Sequence, residues 1–289
     1  MSSLHTYLQG KRKELEVNWD VLEKDYILSW ILTGISKVNL LNKTLIFKGG
    51  TALKKCYFGD YRFSEDLDFS TIEGVPRGKE LDQAMLEACK IGSQILNEYA
   101  PVQINCMRYR EKNPHPNEQE AFTIRAQYPW QSQMQTTVKV EITTDEDVFY
   151  PVVSKKILHG YEENIDAEIQ VYSLEEIVAE KLRAILQHTK KIEKRGWSRS
   201  RARDYYDLWQ IFRTYQDQLD LSNFLTVFRK KCDLREVTFS SVDDFFKDAM
   251  VGYVEKTWEK WLGALTLELP PFEKVSSELK PIIRKLIES

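Results

Sequence analysis

Strand-like runs crowd into the first part of this 289-residue chain and nearly vanish after about Ser173. The apolar run Thr44–Phe47, the alternating segment Asp66–Ser70, and the runs Val102–Tyr109, Ala121–Tyr128 and Thr136–Thr143 all read as strands. Between and before them, apolar residues at three- and four-residue steps predict helices over 20–38 and 79–99, with a short helix over 51–58. Glu111–Asn117, with two prolines, reads as a hairpin loop. Beyond Ser173 the periodicity is helical throughout, over 174–189, 202–215, 221–231, 242–263 and 275–287. Such segregation predicts an α+β chain: a mixed sheet flanked by helices over 1–165, then an all-helical part over 166–289.

Charge and composition narrow the possible partners. With 41 Lys+Arg against 44 Asp+Glu, the net charge of -3 excludes a strongly basic coat for nucleic acid but leaves room for a local basic patch. Cys56, Cys89, Cys106 and Cys232 form no CxxC pair, and His5, His115, His159 and His188 are equally scattered, so neither a zinc ribbon nor a disulfide framework is expected. The first residues lack the apolar core of a signal peptide, and the run Tyr26–Ile35 is too short to cross a bilayer. A cytoplasmic protein with no membrane partner is the expectation.

Chemistry concentrates in Phe47-Lys-Gly-Gly-Thr-Ala-Leu-Lys54 and Tyr61-Arg-Phe-Ser-Glu-Asp-Leu-Asp-Phe-Ser70. Side chains alternate along a strand, so Asp66 and Asp68 project to one face while Leu67 and Phe69 enter the core. Two carboxylates about 7 Å apart repel unless a cation lies between them, and an oxygen-seeking divalent ion such as Mg²⁺ suits them. Gly49 and Gly50, at a strand-to-helix junction, offer bare backbone N–H groups that favour an anion such as a triphosphate. Thr51 adds a hydroxyl as N-cap or phosphate ligand, and Lys54, one turn later, can reach the same phosphate. A DxD alone is more often a solvated sheet face, and a Gly-Gly alone a turn. Their order on one strand–helix–strand unit is the stronger signal.

Those two segments, together with Val21-Leu-Glu-Lys-Asp-Tyr-Ile27, Glu175-Glu-Ile-Val-Ala-Glu-Lys-Leu-Arg183 and Arg201-Ala-Arg-Asp-Tyr-Tyr-Asp-Leu208, resemble the AbiEii/AbiGii toxin family of the nucleotidyltransferase superfamily. The resemblance spans about Glu23 to Leu208. It implies a nucleotidyltransferase fold and metal-dependent transfer of NMP from an NTP, in toxins of type IV toxin–antitoxin or phage-defence systems, some of which modify tRNA. Carried over residue by residue, it assigns Gly50 and Thr51 to phosphates, Asp66 and Asp68 to Mg²⁺ or Mn²⁺, Lys54 and Lys181 to nucleotide phosphates, and Asp204 to an essential polar role. A third carboxylate is usual on a later strand, and Glu141 in Val138–Thr143 fills that place, with Asp145 and Asp147 as competitors. Ser64 reads as a turn or phosphate-shell hydroxyl.

Several of these positions have plainer readings. Lys181 can be solvated on its helix, Asp204 an N-cap, and Glu23 and Asp25 first-turn acids. Lys190–Arg203 carries seven cations against Glu193, plus Trp197, which suits either contact with a polyanion or a flexible charged loop. RNA, tRNA in particular, is the expected acceptor. A protein or small-molecule acceptor, a catalytically dead nucleotide-binding module and a metal-dependent nuclease are the competing functions. An antitoxin is a further expected partner.

Overall fold

The computed structural model describes residues 3–72, 74–109 and 119–288, so the expected loop at 111–117 lies outside the described residues. By its backbone contacts the chain divides into two compact units, 1–146 with 152–172, and 147–151 with 173–289. In the first, α1 (Leu4–Leu15) leads into α2 (Trp19–Lys37), whose residues from Val21 to Ile35 are buried. A short α3 (Asn39–Thr44) feeds β1 (Leu45–Lys48). There follow α4 (Gly49–Ala52), a π-helical turn over Leu53–Phe58, β2 (Asp66–Thr71) and α5 (Gly78–Leu96). The strands β3 (Gln103–Arg108), β4 (Gln119–Gln127), β5 (Thr136–Thr143), β6 (Val153–Lys156) and β7 (Glu168–Val171) complete the unit.

Among the described residues the seven strands join one mixed sheet in the order β3-β4-β5-β2-β1-β7-β6. β2 runs parallel to β5 and antiparallel to β1, which runs parallel to β7. Helices α2 and α5 pack on each other and on the sheet. They approach closely because Gly34 and Gly92 carry no Cβ: an added Cβ would lie 2.0 Å from the Ala88 carbonyl oxygen or 2.5 Å from that of Trp30. Leu67, Phe69, Phe122, Val138, Val140 and Ile142 fill the core. Their neighbours in sequence, Asp66, Asp68, Lys139 and Glu141, are half-buried or exposed, as the pleat requires.

The expected division at 165/166 falls seven residues short of the observed one. β7 belongs to the sheet through its pairing with β1, and the Tyr172 amide donates to the Phe47 carbonyl at 3.0 Å. The excursion 147–151 belongs with the helical unit for an equally local reason. The fully buried Glu176 accepts from the amides of Phe149 (3.1 Å) and Tyr150 (2.9 Å) and pairs with the buried Lys231 ammonium at 2.5 Å. A buried carboxylate is tolerated only when its oxygens are so satisfied.

The second unit is helical: α6 (Leu174–Arg195), α7 (Ala202–Tyr215), α8 (Phe224–Asp233), α9 (Asp248–Leu262) and α10 (Phe272–Ile287). Ser173 caps α6 by accepting from the Glu176 amide, and Gly196 ends it at φ +75°. The single helix expected over 242–263 is broken in two, because a 3-10 turn over Val242–Phe245, with a Ser241/Asp244 capping box, precedes α9.

Candidate active site

The strand register brings the predicted acids together. Asp68 is the Cα partner of Glu141 on parallel β5 and of Lys48 on antiparallel β1, and Asp66 that of Lys139. Laterally paired residues share a sheet face, so Asp66, Asp68 and Glu141 stand on one side with Lys48 and Lys139 beside them. The diglycine lies against the same acids. Gly49 sits at φ +82°, and a Cβ there would come 2.7 Å from Asp68 Oδ2, so both backbone conformation and space require glycine. A Cβ on Gly50 would lie 2.5 Å from Arg62 Nη2 and 3.3 Å from Ser64 Oγ. Carboxylate, diglycine, serine hydroxyl and guanidinium therefore meet around the start of α4.

Two predicted phosphate ligands are used otherwise. Thr51 is only 1% exposed, and its hydroxyl donates to the Asp66 carbonyl at 2.6 Å, clipping α4 to the start of β2. It is not the N-cap: Lys48 holds that place, with no side-chain cap bond. Lys54 is buried, donates to the carbonyls of Tyr61 (2.9 Å) and Gly59 (3.4 Å), and lies 4.2 Å from the Phe63 ring centroid. It fastens the loop that delivers Arg62 and Ser64. The π-helical turn permits this, through the Gly59 amide bonding back to the Lys54 carbonyl five residues earlier at 2.9 Å.

Glu23 and Asp25, which read as first-turn acids, form a four-way brace together with Lys24 and Tyr26. Glu23 accepts from the indoles of Trp19 and Trp130 (both 2.7 Å), from Gln131 (2.9 Å) and from Thr136 (3.0 Å). Lys24 pairs with Glu65, the residue before Asp66, at 2.6 Å. Asp25 holds the Lys55 ammonium at 3.0 Å and accepts from Tyr161 at 2.9 Å, while the Tyr26 hydroxyl donates to Glu163 at 2.7 Å. Burial pushes the Asp25 carboxyl up, but Lys55 and Lys54 outweigh it and hold the acid below its ordinary range. Burial draws the Lys55 ammonium down to about 8, with Asp25 opposing. The Asp25 shift favours its charged form and the Lys55 shift works against it, yet at about 8 the ammonium keeps its proton at neutral pH.

Lys181 and Asp204 lie in the helical unit, where each is the other's partner. The Lys181 ammonium donates to Asp204 at 3.0 Å and to Asp207 at 2.7 Å, and Arg201 donates to the second Asp204 oxygen at 3.0 Å. Lys181 is thus buried in an ion cluster, neither solvated nor presenting an uncompensated charge to a phosphate. Burial raises the Asp204 pKa most strongly, yet Lys181 and Arg201 together bring it below the usual carboxylate range. The two helical motifs are legible as a unit because one supplies the cation and the other both carboxylates.

The segment 190–203 is not a loose loop either. Lys190–Arg195 extend α6 by a turn and a half beyond the expected end at Thr189. Ser198 is buried and hydrogen-bonded to His188 Nδ1 at 2.5 Å. Burial, then Arg201 and Lys191, press the His188 pKa down to about 3 from the ordinary 6.5. A histidine neutral in the fold but protonated when unfolded makes stability fall as pH drops from 6.5 towards 3. Allowing for partial solvent screening, His188 should contribute on the order of 1–2 kcal/mol of that loss. Denaturant unfolding at pH 7 and at pH 5 should therefore differ less in His188→Gln than in the wild type; equal differences would remove this account.

As a metal site, the acids on β2 and β5 offer only oxygen donors, which fits a hard divalent cation. Among the described residues no group of three or more His, Cys, Asp or Glu side chains is gathered closely enough to hold an ion by itself. Substrate phosphates and water would have to complete any shell, as is usual for magnesium. No described helix is long and apolar enough to cross a membrane.

A comparison with curated proteins gives no match. The sequence model described as nucleotidyl transferase AbiEii toxin, type IV TA system, matches residues 30–278, which takes in the diglycine, the acids, both helical motifs and most of the C-terminal helices, and begins just after the Glu23–Tyr26 brace. With so much of the chain matched, the sheet bearing Asp66, Asp68 and Glu141 and the helical part that follows it are those of a member of the AbiEii nucleotidyl transferase toxin family of type IV toxin–antitoxin systems.

Proposed function

We propose that this chain transfers a nucleoside monophosphate from an NTP to a hydroxyl on RNA, tRNA being the acceptor that the family resemblance suggests, and that it acts in the cytoplasm as a toxin opposed by a cognate antitoxin. The observation that carries this reading is the place of Asp68 Oδ2, 2.7 Å from where a Cβ on Gly49 would stand, with Asp68 in register with Glu141. It sets a metal-binding type of carboxylate beside an anion-binding type of backbone.

In the reaction, the acceptor oxygen bonds to the α-phosphorus, the bond to the bridging oxygen breaks, and pyrophosphate leaves. Asp66, Asp68 and Glu141, with substrate phosphates and water completing the shell, would hold Mg²⁺ or Mn²⁺. When bound, the metal supplies Lewis-acid charge to phosphate oxygens and acidifies the acceptor hydroxyl. The amides at Gly49 and Gly50 and the Ser64 hydroxyl orient the triphosphate, and Arg62 supplies the planar cation at Gly50 that we assign in place of Lys54 and Lys181. Glu141, the most exposed of the three acids, is assigned to take the acceptor proton.

The test is to incubate the purified chain with each α-labelled NTP, Mg²⁺, and total RNA or total protein. Label in the RNA fraction with equimolar pyrophosphate is expected. Label in the protein fraction alone would move the acceptor to protein. Label in neither, with metal binding demonstrated, would make the chain a nucleotide-binding module and defeat the proposal.

A further inference from the structure

The turn between α6 and α7 exposes an indole on a fixed backbone. Trp197 is 66% exposed, although the residues around it are anchored. The Gly196 amide closes α6 onto Ile192 at 2.7 Å, buried Ser198 is clipped to His188, and Ser200 bonds Thr257 on α9 at 2.7 Å. Burying an indole is normally favourable, so a rigid turn that holds one out in solvent leaves apolar area for a ligand to cover. One helical turn beyond Thr257, Trp261 is a second partly exposed indole, covered by the Arg203 guanidinium at 5.4 Å from its ring centroid.

The surroundings are cationic. Lys194, Arg195 and Arg199 are exposed around Trp197, and the acid of the segment, Glu193, is matched by Lys247 at 3.0 Å. After burial, the influences that make Lys191 easier to deprotonate are Arg201 and Arg195, so the cations already feel one another. Such crowding is relieved by an anion spread over several positions. A ring face amid cations matches the two parts of an unpaired nucleotide, the base and the phosphate. In a duplex the base faces are already stacked and unreachable by Trp197.

We infer that the 194–199 turn, with Arg203 and Trp261, is a preorganised seat for single-stranded RNA; the choice of RNA rests on the acceptor proposed above. Trp197 stacks on one base, and Lys194, Arg195 and Arg199 track the backbone. The turn's ordering entropy is met on folding, which separates this surface from a flexible basic tail.

The experiment measures binding to the full chain, without NTP or metal, of a fluorescein-labelled single-stranded RNA of about 12 nucleotides, and of the same sequence as a duplex. Trp197→Ala, at an exposed position, is expected to weaken single-strand binding roughly tenfold or more, with Trp197→Phe retaining most of the affinity. Arg195→Glu/Arg199→Glu is expected to weaken it further and to flatten its dependence on salt between about 50 and 200 mM. Undiminished binding by Trp197→Ala, or duplex bound as tightly as single strand, would overturn the inference. So would poly-glutamate binding that Trp197→Ala abolishes while RNA binding persists, since that places RNA elsewhere and an acidic protein on this surface. The outcome is independent of turnover: a wild type that binds RNA through Trp197 but labels none would defeat the proposed reaction and leave the seat standing.

Discussion

Asp68→Asn is expected to lower NMP transfer by at least about 10²-fold while leaving the unfolding transition nearly where it was. The amide keeps the shape of the carboxylate, whose Oδ2 stands 2.7 Å from where a Cβ on Gly49 would lie, so the fit beside the diglycine is preserved. What it removes is one negative charge from a face where Asp66 and Glu141 also project. If those acids exist to hold a cation and align a triphosphate, the loss falls on kcat, because alignment in the transition state is the protein's main contribution. Asp145→Asn, beyond the end of β5, serves as the control and should transfer at the wild-type rate. The measurement is labelled RNA formed per unit time, with unfolding followed in parallel. A folded Asp68→Asn protein at wild-type rate would take this face of the sheet out of the chemistry.

The acids were legible in the sequence because a strand's period is two and its neighbours Leu67 and Phe69 are unambiguous core residues. Their number was harder to read. Glu141 depends on the pairing of β2 with β5, seventy residues apart, and only an apolar strand with one acid among Val138, Val140 and Ile142 hinted at it. Thr51 and Lys54 misled because spacing along a helix says where a side chain starts and nothing about which carbonyl takes it up. The partners, Asp66 and Tyr61, are backbone groups, which leave no trace in residue type. Arg62 lay within the very stretch that drew attention, yet its place beside Gly50 depends on the path of the 59–65 loop.

Fold elements escaped for related reasons. β6 and β7 have four residues each, and Val153-Ser-Lys-Lys156 is largely exposed, so no alternation can build up; β7 becomes a strand through its pairing with β1 and β6. Likewise Glu23 and Asp25 look like ordinary first-turn acids until Trp130, Gln131, Thr136 and Tyr161 arrive from over a hundred residues away. In each case local pattern located the residue and tertiary context decided its use.

The Lys181 cluster gives the other large effect, and it separates a structural role from a phosphate-binding one. Lys181→Met is expected to destabilise the chain by about 3–5 kcal/mol, the loss usual when one partner of a buried ion pair is removed. Asp207 is fully buried and Asp204 partly so, and both would be left without the ammonium that now lies 2.7 and 3.0 Å away. Arg201 also donates to Asp204, at 3.0 Å. Combining Lys181→Met with Asp207→Asn should recover a large part of the loss, since a neutral amide no longer needs the cation. Urea denaturation of the wild type, both single variants and the double variant measures that coupling, and the KM for NTP is read on whichever variants stay folded. A phosphate ligand predicts a different pattern: Lys181→Met with wild-type stability, a raised KM, and no rescue by Asp207→Asn. That pattern would return Lys181 to the nucleotide site.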